Sequence, residues 1–240
     1  MVLSPIARRS IADDVFDQIA ADVLRGEVAP GEALPSERRL AEVLGVSRPS
    51  VREALKRLDH AGLVDVRQGD ATTVRDFRRS GGMDLLPRLL MSGGTVDLGT
   101  ARSVMETRLH VGPFAAELAA RRGGASLGPA LAGALSELGA QADAVGRQHA
   151  ALAIWDVIID GADSITLRLM FNSLRAAYEP AIEVLAQVMD SEVSNQAAYQ
   201  RLADAIGAGE ADVASRAAAD LLRPGTAALL AALEALENSP

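Results

Sequence analysis

Apolar positions along the first 75 residues follow two different periods. Ile11, Val15, Ile19 and Val23 recur every four residues, which predicts an amphipathic helix from about Ser10 to about Arg25 with those side chains inward. Leu34, Leu40, Ala41 and Leu44 share a second stripe, with Ser36 placed to cap it and Gly45 placed where the chain turns with positive φ. Ser47 is the next N-cap candidate. Pro49 then falls in a first helical turn, where no intrahelical donor is lost. The helix it opens carries Val51, Ala54, Leu55 and Leu58 inward, and Arg48, Arg52 and Lys56, four apart, outward. The period then changes to two: Leu63-Val64-Asp65-Val66 and Thr72-Thr73-Val74-Arg75 alternate as strands around Gln68-Gly69-Asp70-Ala71.

Three helices followed by a hairpin predict a winged helix-turn-helix over residues 1–76. That arrangement sets a short helix into the major groove of duplex DNA. Arginines on the leading turns of that helix are what major-groove readout requires, because a guanidinium pairs bidentately with guanine. The expected DNA contacts are Arg38, Arg48, Ser50 and Arg52, with Gln68 and Gly69 at the wing tip.

Charge and Gly81-Gly82 interrupt the pattern over residues 77–83, which predicts a linker there. Residues 84–240 then read as an all-α bundle of six or seven helices. The spans expected are Asp84–Met91, Asp97–Arg121, Ser126–Ala144, Gln148–Asp160, Ser164–Val188, Ser191–Ala208 and Asp212–Leu236. The fold class expected is mostly α: an N-terminal winged helix-turn-helix and a C-terminal all-α helical bundle.

Charge sharpens this division. Residues 1–79 carry 13 Lys and Arg against 13 Asp and Glu, whereas residues 80–240 carry 11 against 19, the whole of the net −8. A neutral head with clustered arginines can approach phosphates, and an acidic body is repelled by them. Acidic bodies are also common in proteins that never meet DNA, so the asymmetry supports the motif without replacing it. Cysteine is absent, which excludes disulfides and thiolate metal sites and fits a reducing cytoplasm. Arg8-Arg9 is followed by no apolar run of signal-peptide type, and no stretch of about 18 apolar residues offers a membrane span.

Gly31 to Val74 resembles the DNA-binding domain of the GntR family of bacterial transcriptional regulators. The resemblance is carried by Leu34-Pro35-Ser36-Glu37-Arg38, then Gly45-Val46-Ser47-Arg48 and Val51-Arg52-Glu53-Ala54-Leu55. Ala71 stands where family wings usually have a second glycine. The acyl-CoA-responsive FadR branch shares that departure, and residues 69–77 and 80–86 are similar to the same branch. Arg108-x-x-Val-Gly-Pro-Phe-Ala-Ala-Glu-Leu-Ala-Ala resembles the opening of the FadR-type ligand domain. Many members of that superfamily hold a divalent metal through Asp-x-x-x-His and two later histidines. Here the corresponding positions are Leu152, Asp156, Tyr199 and Leu221 (or Asp220), a set that does not make the site. His60, His110 and His149 lack ligand spacing, so neither metal nor other cofactor is expected.

The resemblance therefore implies an organic effector. Ala151 to Tyr178 lines up with the acyl-CoA-binding branch, and the expected effector contacts are Arg102, Arg108, Trp155, Asn172, Tyr178 and Tyr199. Trp155, Phe171 and Tyr178 read equally well as core. A buried Arg108 needs an anionic partner, either a ligand group or Asp156. The function expected is a cytoplasmic regulator that binds a palindromic operator as a homodimer and is released by a long-chain acyl-CoA or fatty acid. A small organic acid or sugar acid as effector, or a constitutive dimeric repressor, are the alternatives. No nucleophile–base set or phosphate-cradling Gly-x-x-x-x-Gly-Lys supports an enzyme.

Overall fold

The computed structural model describes residues 10–67, 71–92 and 95–237. The chain divides into two compact units, Met1–Thr95 and Val96–Pro240.

The first unit opens with α1 (Ile11–Leu24). Its first turn is closed by a reciprocal cap in which Ser10 accepts from the Asp13 N–H and Asp13 accepts from the Ser10 N–H. The buried face is Ala12, Val15, Phe16, Ile19, Ala20 and Val23. Ile11, expected inside, is the first residue of the helix and is 56% exposed. Helix α2 (Glu37–Leu44) is capped by the Ser36 hydroxyl, and Gly45 ends it at φ +66°, a left-handed conformation that a β-carbon disfavours. Helix α3 (Arg48–His60) starts at Ser47, whose hydroxyl accepts from the Ser50 N–H at 3.3 Å. Its buried stripe is the expected one, Val51, Ala54, Leu55 and Leu58.

Strands β1 (Val64–Asp65) and β2 (Thr73–Val74) pair antiparallel, Val64 opposite Val74. They are shorter than the alternation suggested. The segment before α2 supplies what sequence reading missed: Ala33 bridges Thr73, and Leu34 N–H bonds to Thr72 O at 2.8 Å. A third extended segment thus covers the edge of the hairpin. Arg75 anchors the hairpin to α3, reaching Asp59 and Asp65 at 3.2 Å each.

The expected linker at 77–83 is instead part of this unit. Helix α4 (Phe77–Ser80) docks through the Ser80 hydroxyl, which donates to Gly62 O at 2.7 Å. After a 3₁₀ turn (Met83–Leu85), α5 (Leu86–Leu90) continues the packing. Leu85 is buried in the same cluster as Leu55 and Leu58. Arg88 and Arg57 lie over the Phe16 ring at 4.7 and 5.0 Å. The glycines mark a turn within the head, and the division falls after the short strand β3 (Met91–Ser92), at Thr95 in β4 (Thr95–Val96).

The second unit is helical: α6 (Leu98–Arg122), a 3₁₀ turn (Gly124–Leu127), α7 (Gly128–Ala140), α8 (Ala144–Gly161) and α9 (Ile165–Tyr178). A 3₁₀ turn (Glu179–Ala181), α10 (Ile182–Leu185) and α11 (Asp190–Val193) lead to α12 (Gln196–Gly207) and α13 (Ala211–Glu237). Two expected spans are broken. The helix anticipated over 164–188 stops at Tyr178, because Pro180 cannot continue it. The one anticipated from Ser191 starts at Gln196, where Asn195 caps the Ala198 N–H. Small residues let α6 and α13 approach closely: Ala115, Ala116, Ala119 and Ala120 share a core with Ala214 and Ala218. Leu131, Ile154, Ile158, Leu202 and Ile206 complete that core.

Candidate functional site

Two surfaces carry candidate chemistry, one in each unit. In the first, capping fixes the start of α3, so its leading side chains are held in a defined direction. Arg48 is exposed at its first position. Ser50 is half-buried, its hydroxyl 2.9 Å from that of Ser47. Arg52 is exposed but held: its Nε and Nη2 donate to Glu37 of α2 at 3.2 and 2.8 Å. That contact holds the Glu37 carboxyl below the usual carboxylate range and links α2 to α3. Arg38 is exposed on α2, 3.6 Å from Glu42. These four residues share the helix-turn-helix. Gln68 and Gly69, expected at the wing tip, lie outside the described residues.

In the second unit a cavity of about 140 Å³ opens among α6, α8, α9, α11, α12 and α13. Most of its wall is apolar, including Val104, Val111, Ala151, Leu152, Phe171 and Leu222. Of the six expected effector residues, Arg108, Trp155, Tyr178 and Tyr199 line it. Arg102 and Asn172 do not. Arg102 sits nearer the start of α6, 3.5 Å from Glu234 on α13, and Asn172 points from the exposed side of α9.

Arg108 is half-buried, and its anionic partner is Glu192 rather than Asp156. Nη2 lies 2.5 Å from Glu192 Oε1. Asp156 is instead gripped by Arg168 and Arg175, which fasten α9 to α8. Gln148 accepts from the Tyr178 hydroxyl at 2.6 Å. Burial raises the pKa of both tyrosines, so they are neutral phenols. Glu192 and Gln148, each 3% exposed, are functional candidates that sequence reading missed. Glu192 lies in a short helix behind a Pro-broken span, and Gln148 belongs to a helix that begins four residues earlier than expected, capped by Asp143. A lone Glu or Gln in either place carries no sequence signal.

The metal-ligand positions of the superfamily do not converge on a metal-binding set here. Leu152 and Tyr199 line the cavity, while the carboxylate of Asp156 is taken by two guanidiniums. Among the described residues no group of three His, Cys, Asp or Glu side chains is placed to hold an ion.

Comparison with known proteins separates the same two units. Residues 11–74 match the bacterial regulatory proteins of the gntR family, and residues 103–224 match the FCD domain. The HTH-type transcriptional regulator Mce2R of Mycobacterium tuberculosis is 53% identical over 233 residues, 97% of each chain. The chain belongs to the GntR family. It is a DNA-binding transcriptional regulator with an FCD ligand domain, and not an enzyme. The fatty acid metabolism regulator protein of Vibrio cholerae matches this GntR-family chain more narrowly, at 35% identity over 104 residues, 43% of this chain and 36% of that one. A solved structure of Lar, from Listeria monocytogenes, shares the fold: its TM-score is 0.58 at 17% identity, covering 93% of this chain and 98% of that one. Among the described residues no helix is long and apolar enough to cross a membrane.

Proposed function

We propose that the FCD cavity is an effector site and that its occupation alters operator binding by the winged head. The chain acts as a cytoplasmic homodimer on a two-fold symmetric duplex, because one short helix and one wing cover too few base pairs for specificity. Arg38, Arg48, Ser50 and Arg52 contact the duplex, with Gln68 and Gly69 at the wing. Binding of effector changes the spacing or tilt of the two heads and so their fit to the half-sites.

The observation that carries this reading is the composition of the cavity wall: an apolar pocket with a few convergent hydrogen-bonding groups is the usual form of a small-molecule site. An acyl chain suits the apolar part, and the partial match to a fatty acid metabolism regulator favours a ligand of that kind. Size narrows it. An apolar cavity of about 150 Å³ takes a ligand the size of benzene, so this one encloses on the order of six non-hydrogen atoms. About six carbons of an acyl chain fill that space, and the bulk of a coenzyme A group would have to lie outside it.

Trp155 lines the cavity and is the single tryptophan of the chain, so its fluorescence reports on this site. Free acids and CoA thioesters of increasing length should quench or shift it. Affinity should rise about fourfold per methylene, the equivalent of about 0.8 kcal/mol, until the pocket is full. Affinity independent of chain length, or binding confined to short sugar acids, would remove the acyl reading. Operator affinity unchanged by a ligand that saturates Trp155 would remove the effector role.

A further inference from the structure

The polar end of the cavity is already balanced in charge. Arg108 on α6 gives its Nη2 to Glu192, and its Nη1 lies 3.8 Å from the Met105 sulfur. The remaining groups around Glu192 add no charge. Tyr178 from α9 and Tyr199 from α12 are neutral phenols, α8 contributes the Gln148 amide, and α13 presents Gly225. Arg147 of α8 is engaged by Asp190, two residues before Glu192, at 2.8 Å. Arg175, at the α9 wall, is held by Asp156 and Glu179.

Three buried atoms of this cluster make no hydrogen bond: Glu192 Oε2, Gln148 Nε2 and the Tyr199 hydroxyl. Trp155 is a neighbour of the Tyr199 hydroxyl without completing a bond to it. Buried polar atoms without partners are uncommon, and these three belong to residues lining one cavity. Their valences are complementary rather than alike. Glu192 Oε2 can only accept from a ligand, Gln148 Nε2 can only donate, and the phenol can do either. A carboxylate ligand satisfies the amide but sets its charge against that of Glu192, and two carboxylates sharing a site do not both stay ionised.

We infer that this cavity takes its effector by an uncharged donor–acceptor head, a hydroxyl or primary amide seated between Glu192 and Gln148, and admits a carboxylic acid only with uptake of one proton. This rests on the cavity being the effector site. Burial already pushes the Glu192 carboxyl upward, so the extra proton has a place to sit.

The test uses the full chain with octanamide, octan-1-ol and octanoate, read by Trp155 fluorescence and by titration calorimetry in two buffers of different ionisation enthalpy. At pH 8 octanamide should bind at least about tenfold more tightly than octanoate. Octanoate should gain about tenfold per pH unit on descending to pH 6.5, with about one proton taken up, whereas octanamide takes up none. Glu192→Gln should abolish the uptake and strengthen octanoate binding at pH 8, while octanamide, which loses a charged acceptor, should bind more weakly, so that the preference for the amide shrinks or reverses. If that variant does not fold, proton uptake by the wild-type chain decides the matter alone. Octanoate binding as tightly as octanamide at pH 8 with no proton taken up overturns the inference and leaves the effector site standing. No response of Trp155 or of the melting temperature to any of the three probes overturns both.

Discussion

Replacing Arg48 by alanine should damage DNA reading and almost nothing else. The side chain is exposed at the first position of α3, and the packing of that helix runs through Val51, Ala54, Leu55 and Leu58. A lost bidentate base contact is worth roughly 1–3 kcal/mol, or about 5- to 150-fold in Kd. Arg52→Ala should weaken binding in the same range, with a small additional effect on the head. It removes the pair with Glu37, whose partners are 62% and 31% exposed, and exposed pairs contribute about 0.2–1 kcal/mol. The melting temperature should therefore be unchanged for Arg48→Ala and fall by at most a few degrees for Arg52→Ala. The assay is fluorescence anisotropy on a duplex selected from a random library, repeated across salt concentrations. A base contact leaves the slope of log K against log salt unchanged, whereas a phosphate contact reduces it by about 0.9. Both variants binding within about twofold of wild type would refute the placement of α3 in the groove.

Other perturbations test the remaining physical claims. The Arg57 guanidinium first, then the Ser10 N–H and hydroxyl, hold the Asp13 carboxyl at about 2 against an ordinary 3.8. That stabilisation is present above the ordinary value and is lost as pH falls through 2, so Asp13→Asn should flatten the urea midpoint between pH 4 and 2; identical pH profiles would contradict it. Gly62 has φ +74°, and a β-carbon there would lie 2.3 Å from Ser80 O, so Gly62→Ala should cost about 1–3 kcal/mol or more in urea unfolding. A stability unchanged within error would show that α4 does not dock on the head as described. A β-carbon at Gly112 would fall 2.4 Å from Leu222 Cδ1 and 3.3 Å from Trp155, so Gly112→Ala should weaken ligand binding with duplex affinity intact; full-strength ligand binding would place the site elsewhere. Chelator treatment should leave melting temperature and duplex binding unchanged, and stoichiometric metal in unheated protein would overturn that expectation.

The head was readable from the sequence because its signals are local. Ser36, Gly45 and Ser47 act on neighbouring backbone groups, and the structure shows each as a helix cap. What escaped there was long-range: Ala33 pairing with Thr73, and Leu85 packing beside Leu58 across a stretch that composition marks as a linker. In the FCD domain the helices were legible by period, but the partner of Arg108 was not. Asp156 is the nearer carboxylate in sequence, yet α9 draws it outward through Arg168 and Arg175, leaving Glu192, 84 residues away, to meet the arginine. Asn172 failed as a cavity residue because period alone does not say which face of a half-buried helix points inward. Arg102 lies six residues, nearly two turns, before Arg108, too far along α6 to share its site.

Control of operator binding by occupation of the FCD cavity is decided by following both events in one titration. Octanamide is added to the full chain bound to a fluorescein-labelled selected duplex, while Trp155 emission and duplex anisotropy are read together. The two signals should change over the same ligand concentrations, and Gly112→Ala should shift both midpoints upward by the same factor. Trp155 saturating while the duplex affinity stays constant would contradict it.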